Sequence, residues 1–188
     1  MTSEAIISIF LGIGLAASVG FRVFLPLFVL SLVGHFDIIN LSEHWEWIGS
    51  VPALIALAVA MVLEIFAYYI PFIDNLLDTI AVPLAAIAGT AVMVSTMAEL
   101  SPVVTWALAI IAGGGTASIV KGASAGTRVT SSVATAGLGN PVVSTVETGG
   151  SIALSLVAIF LPIIAIVLVI IILMFIFWFY KKLGGKSN

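Results

Sequence analysis

The sequence predicts an all-α protein: a polytopic membrane helix bundle of about five to six hydrophobic segments, with broken or re-entrant helices. Three observations predict it. Of 188 residues, 62% are apolar and 8% charged, with a mean hydropathy of +1.31, where a soluble domain carries roughly 25% charged residues. The apolar residues come in blocks long enough to cross a bilayer. Glycines and prolines punctuate those blocks where helices kink or stop. The chain has no cysteine, which excludes disulfides, thiolate catalysis and cysteine metal sites.

The N-terminal "MTSEAIISIF" lacks a basic region and a small-residue cleavage site, so it begins a first membrane helix capped by Thr2 or Ser3. The block Ala5 to Val33 is too long for one perpendicular helix and too short for two full spans, so it must bend or break. "GHFDIINLSEHWEWIGS", Gly34 to Ser50, carries Asp37, Glu43 and Glu46 without Lys or Arg, and its Trp45 and Trp47 suit a membrane interface. Its two histidines, His35 and His44, are too isolated for a metal site. Blocks follow at Val51 to Ile70, Ile80 to Met97, Val103 to Val120 and Gly122 to Ala136. The stretch Pro102 to Gly139 is expected to form two spans or a re-entrant hairpin, with Glu99 at a loop end before it. Pro141 to Tyr180 exceeds one span, and Gly149-Gly150 divides it into a short helix ending at Glu147 or Thr148 and a lipid-facing helix Ile152 to Tyr180.

Three of the six basic residues, Lys181, Lys182 and Lys186, lie in the tail, so the positive-inside rule makes the C-terminus cytoplasmic and Gly34 to Ser50 extracytoplasmic. Counting back, Ile152 to Tyr180 and Val51 to Ile70 run inward, Ile80 to Met97 runs outward, and Pro102 to Gly139 begins and ends outside. The whole chain 1–188 forms a single membrane domain.

The other three cations, Arg22, Lys121 and Arg128, lie in apolar sequence. The segments "ASVGFRV" (Ala17 to Val23) and "ASAGTRV" (Ala123 to Val129) share the pattern A-S-x-G-x-R-V, which predicts an internal repeat with halves 1–98 and 99–188. Each places a serine, Ser18 or Ser124, one turn before its arginine. The plainer alternative is small-residue helix packing. A mid-membrane Arg or Lys costs roughly 2.5 to 3.5 kcal/mol on insertion scales, so the three require partners. The apolar background offers Glu64, Asp74, Asp78 and Glu147.

"EIFAYYIPFIDNLLD" puts Glu64 late in a helix with Tyr68 one turn on, then Pro71 and the i, i+4 pair Asp74 and Asp78. Asp74 can cap a short helix after Pro71. "GNPVVSTVETGG" makes Asn140 an N-cap and Pro141 the first helical residue, with Asn140, Ser144 and Glu147 as one polar stripe. Lys121, Ser124 and Arg128 share a face in the same way. No Walker loop, Ser-His-Asp order, HExxH motif or nucleic-acid surface is present.

The run of motifs "GFRVFLP", "EIFAYYIPFID", a Lys seven residues before an Arg, and "NPVVSTVE" resembles an uncharacterised bacterial integral membrane family, domain of unknown function 4126. The resemblance covers most of the chain. It implies an all-helical membrane protein with a conserved polar core, and it carries no activity. Such proteins often place Asp after the last Glu; here Thr148 stands there, which weakens any role needing two adjacent acids.

The expected function is a small transporter or channel-like protein, not an enzyme, with Arg22, Glu64, Lys121, Arg128, Asn140, Ser144 and Glu147 as its solute or ion site and Ser18, Asp74, Asp78 and Ser124 beside them. Its partners would be membrane lipid, a small anionic or polar solute, a coupling proton or cation, and a second copy in a homodimer. No cofactor or metal is implied. The alternatives are an anionic-lipid flippase or lipid binder, and a structural scaffold.

Overall fold

The computed structural model describes residues 2–70, 73–97 and 100–184. Pro71, Glu99 and Lys186 lie outside them. Among the described residues the chain forms α1 (Ser3–Phe21), α2 (Phe24–His35), a 3-10 helix (Glu43–Gly49), α3 (Val51–Ala67), α4 (Ile73–Thr96), α5 (Pro102–Leu108), a π-helical stretch (Ala109–Gly114), α6 (Gly115–Thr135), α7 (Asn140–Phe160) and α8 (Pro162–Gly184). Five helical segments are long and apolar enough to cross a membrane, counting α5 through α6 as one. The protein is an all-α helical bundle with the build of an integral membrane protein.

The first block breaks at Arg22, whose backbone is extended at φ −137° and ψ 128°. Pro26 in the first turn of α2 lacks the N–H that this turn leaves unbonded, so a new helix starts there without cost. The chain then reverses. Ser42 N donates to Ser95 O at 2.9 Å, which brings the 3-10 helix to the C-terminal end of α4, and Gly12 of α1 abuts Met93 and Thr96 of the same helix end. So α2 runs back toward the end where Ser3 lies, and α3 returns beside it, with His35 Nδ1 2.8 Å from Gly49 O. At 12 residues, α2 is about 18 Å long, a little over half a span.

Helix α1 is the axis, packing against α4, α6, α7 and α8. Its small residues allow this. A Cβ on Gly14 would sit 2.8 Å from Ala158 and 2.9 Å from Ala165, and one on Gly20 would overlap Val120. Close backbone approach of this kind holds membrane helices together where lipid removes the hydrophobic drive. Gly89 against Gly113 does the same for α4 and the π-helical stretch.

Three sequence expectations are corrected. Pro102 to Gly139 is neither two spans nor a hairpin: Pro102–Thr135 is one rod of 34 residues. Lys121 looked like a break in hydropathy, but its side chain is fully buried and the helix passes through it, ending at the left-handed Ala136 and Gly137. A single rod long enough to cross once also corrects the expectation that Pro102 to Gly139 begins and ends on one side. The pair Gly149-Gly150 does not end a helix either. It sits inside α7, and the break falls at Leu161, because the residue before a proline is driven out of helical geometry. The last helix is thus Pro162–Gly184, mostly exposed as a lipid-facing span would be. Lastly, α4 begins at Ile73, seven residues before the block Ile80 to Met97.

Candidate functional site: a buried cation cluster around Tyr68

The ends of α1, α3 and α4 meet the middle of α6 and the first two turns of α7. Arg22 leaves the end of α1 and turns into the bundle, 0% exposed. Its Nε donates to Thr148 Oγ1 at 3.1 Å and its Nη2 to Ser144 O at 3.0 Å, with Glu147 Oε2 3.9 Å away. Arg128 comes from α6 onto the same residues: Nη1 donates to Ser144 Oγ at 3.1 Å, Nη2 to Glu147 Oε2, and Nε lies 3.8 Å from Asp78 Oδ2. The other Glu147 oxygen accepts from Ser124 Oγ. Glu147 is therefore the shared counterion of both look-alike arginines.

Tyr68, which ends α3, is the platform. The guanidinium carbons of Arg22 and Arg128 lie 4.4 and 4.1 Å from its ring centroid, and Lys121 Nζ lies 5.1 Å from it. Its hydroxyl donates to Asp78 Oδ1 at 3.3 Å and its carbonyl accepts from Ser144 Oγ at 3.2 Å. Lys121 Nζ donates to Phe21 O at 3.2 Å, one of the carbonyls freed where α1 ends. Glu64, one turn before Tyr68, accepts from Val23 N at 2.8 Å and Phe24 N at 2.9 Å, so it caps α2.

The cluster lies deep. Phe21 of α1 and Ile172, Leu173 and Ile176 of α8 pack around the same buried residues, Ala17, Val120, Leu154 and Val169, and Ile172 is central in the apolar stretch Pro162–Lys182. Toward the Ser3 end it is sealed by Leu15, Val19 and Val92, each fully buried. A groove of about 1210 Å³, lined among others by Glu4, Glu43, Trp45 and Trp106, opens at that end beyond the seal. Toward the other end the Asp78 side chain is 14% exposed.

Of the expected site residues, Arg22, Glu64, Asp78, Lys121, Ser124, Arg128, Ser144 and Glu147 converge. Asn140 and Asp74 form an adjoining pair, Asn140 Nδ2 donating to Asp74 Oδ2 at 2.8 Å and to Ser132 Oγ at 3.0 Å. Asn140 does not hold the cap position that the sequence had led us to expect: it is already helical, and Gly139 precedes α7 as the cap, while Asp74 stands in the first turn of α4. Ser18 does not join the charges. Its hydroxyl donates to Gly14 O and its carbonyl accepts from Ser151. The A-S-x-G-x-R-V segment that ends α1 packs against α6 just before the second such segment, Gly20 meeting Val120 and Phe21 O accepting from Lys121 Nζ. Sequence reasoning missed Tyr68 as the centre, though its place one turn after Glu64 was the signal. It also missed Thr148, which accepts from Arg22 at the position where an acid was expected.

Two arginines and a lysine carry about thirteen N–H donors, and five hydrogen bonds among the described residues use them. Arg22 Nη1 and Arg128 Nε are buried without an acceptor. Such a constellation can take up further negatively charged oxygen, and a low-dielectric surround strengthens whatever it binds.

Fold and site define a class: an all-α integral membrane protein whose helix ends converge on a buried cluster of opposed charges. Within that class the chain belongs to the DUF4126 family, a domain of unknown function, whose family model matches residues 9–182. No curated protein and no solved structure matches it.

Proposed function

We propose that the protein is a small transporter or channel-like protein of the bacterial inner membrane that binds a small anionic solute at Arg22, Arg128 and Lys121. The observation that carries this is the surplus of buried, unmatched donors around Tyr68. A scaffold has no use for it, because an unsatisfied buried polar group destabilises by about 1 to 3 kcal/mol. The three cations are 0 to 1% exposed, which favours a small solute over a lipid headgroup as ligand. Glu64 and Glu147 are the carboxylates placed to couple a proton or cation to its movement. With the C-terminus in the cytoplasm, as Lys181 and Lys182 favour by the positive-inside rule, the cluster is closed to the outside and faces inward through Asp78. One chain of this size encloses little space by itself, and a homodimer completes the pathway. No enzymatic step is assigned to it.

The test is anion flux into liposomes carrying the purified protein. Arg128→Gln is expected to slow it at least tenfold, a loss of about 1.4 kcal/mol or more. Equal flux through both chains sinks the proposal.

A further inference from the structure

This inference rests on the anion-site proposal and names its ligand class and its gate. Glu64 differs from the other acids of the cluster. Among the described residues it makes no ion pair within 4 Å, although its charge acts on both Arg22 and Lys121. Its two oxygens are held by the N–H groups of Val23 and Phe24 at 2.8 and 2.9 Å. Those groups open α2, and the N-terminal end of a helix attracts anions through free N–H donors and the helix dipole. Next to them in sequence, the fully buried Arg22 has an Nη1 without any acceptor. Lys121 Nζ, also fully buried, has a single bond, to Phe21 O.

We propose that Glu64 is an internal stand-in for the solute: its carboxylate fills an anion site at the start of α2, and a small monocarboxylate takes its place when Glu64 is protonated and swings out. The ligand would be bound by Val23 N and Phe24 N, with Arg22 Nη1 and Lys121 Nζ supplying donors that have no use while Glu64 is in place. A planar carboxylate matches two parallel N–H groups as Glu64 does. Charge favours the same class. One carboxylate replaces another while one proton enters, so the net charge of the cluster is unchanged, as a low-dielectric site requires. A divalent phosphate would leave an extra charge. The charged and titratable groups on which Glu64 acts are Arg22 from the end of α1, Tyr68 from its own helix and Lys121 from α6, while Arg128 of α6 and Asp78 of α4 belong to the same cluster through Tyr68. Glu147 of α7 is engaged by Arg128 and Ser124.

The experiment is calorimetric titration of the purified full-length protein with sodium acetate at about pH 8 and about pH 5.5, in buffers of different ionisation heat. One linked proton changes affinity by up to ~10-fold per pH unit. Wild-type protein is expected to bind acetate at least tenfold tighter at the lower pH, taking up close to one proton per acetate. Glu64→Gln, nearly the same shape and always neutral, is expected to bind equally well at both pH values without proton uptake. Acetate binding by the wild type without proton uptake, or unchanged pH dependence in a folded Glu64→Gln chain, overturns the stand-in role and leaves the anion site intact. No acetate binding by either chain overturns the monocarboxylate site altogether, and anion flux in the liposome assay then shows whether the broader proposal survives.

Discussion

The guanidinium carbon of Arg128 lies 4.1 Å from the centroid of the Tyr68 ring. Arg22, from a segment over a hundred residues earlier, reaches the same ring at 4.4 Å. An aromatic face attracts a desolvated cation by about 2 kcal/mol, so one side chain that is itself uncharged offsets part of the burial of two charges.

Replacing the ring tests that balance. Tyr68→Leu is expected to lower stability in mixed micelles by about 2 to 4 kcal/mol, since both arginines lose their platform. Tyr68→Phe keeps the face and loses the bond to Asp78, at about 1 kcal/mol. Equal unfolding midpoints for the two variants would show that packing alone matters.

The role of Glu147 separates in the same way. Glu147→Gln leaves two buried guanidinium groups short of their common counterion, and removal of one partner from a buried pair costs about 3 to 5 kcal/mol. The double variant Glu147→Gln with Arg128→Gln should regain much of that loss. A cycle whose two losses simply add would contradict the coupling.

Glycines divide sharply by position. Gly20→Ala drives a methyl into Val120 and should cost about 1 to 3 kcal/mol. Gly122→Ala meets nothing within 4 Å, and in a helix it should be neutral or stabilising by up to about 1 kcal/mol. Thermal unfolding of the pair checks both, and a Gly122→Ala loss as large as that of Gly20→Ala would point to a partner covering that face.

Sidedness is open to chemistry because the chain has no cysteine of its own. Glu4 and the His35–Ser50 region share one end of the bundle, and Lys182 lies at the other. Glu4→Cys and Asp37→Cys should react with an impermeant maleimide applied to intact cells, and Lys182→Cys only after lysis. Labelling of Glu4→Cys and Lys182→Cys from the same side would disprove the single crossing of Pro102–Thr135.

Much of the site was legible because a charge in apolar sequence stands out against its background: Arg22, Glu64, Lys121, Arg128 and Glu147 are conspicuous for that reason. Breaks were harder to place. A hydropathy profile treats Lys121 as an edge and Gly149-Gly150 as a stop, yet neither interrupts hydrogen bonding once a neighbouring helix accepts a bond from the lysine and nothing crowds the glycines. The break at Leu161 follows from Pro162, a local steric effect that outweighs glycine's looseness.

The sequence by itself determined that this chain belongs in a membrane, that its first apolar block must break, and which ionisable side chains require partners there. Solvent preference and local sterics are properties of short stretches, so they are written in the order of residues. Only the tertiary structure decided that Glu147 serves both arginines, that Tyr68 lies beneath them, and that Glu64 binds two backbone N–H groups rather than a cation. Those pairings depend on the direction and register of helices far apart in the chain, which close packing at Gly14, Gly20 and Gly89 sets and no local pattern encodes.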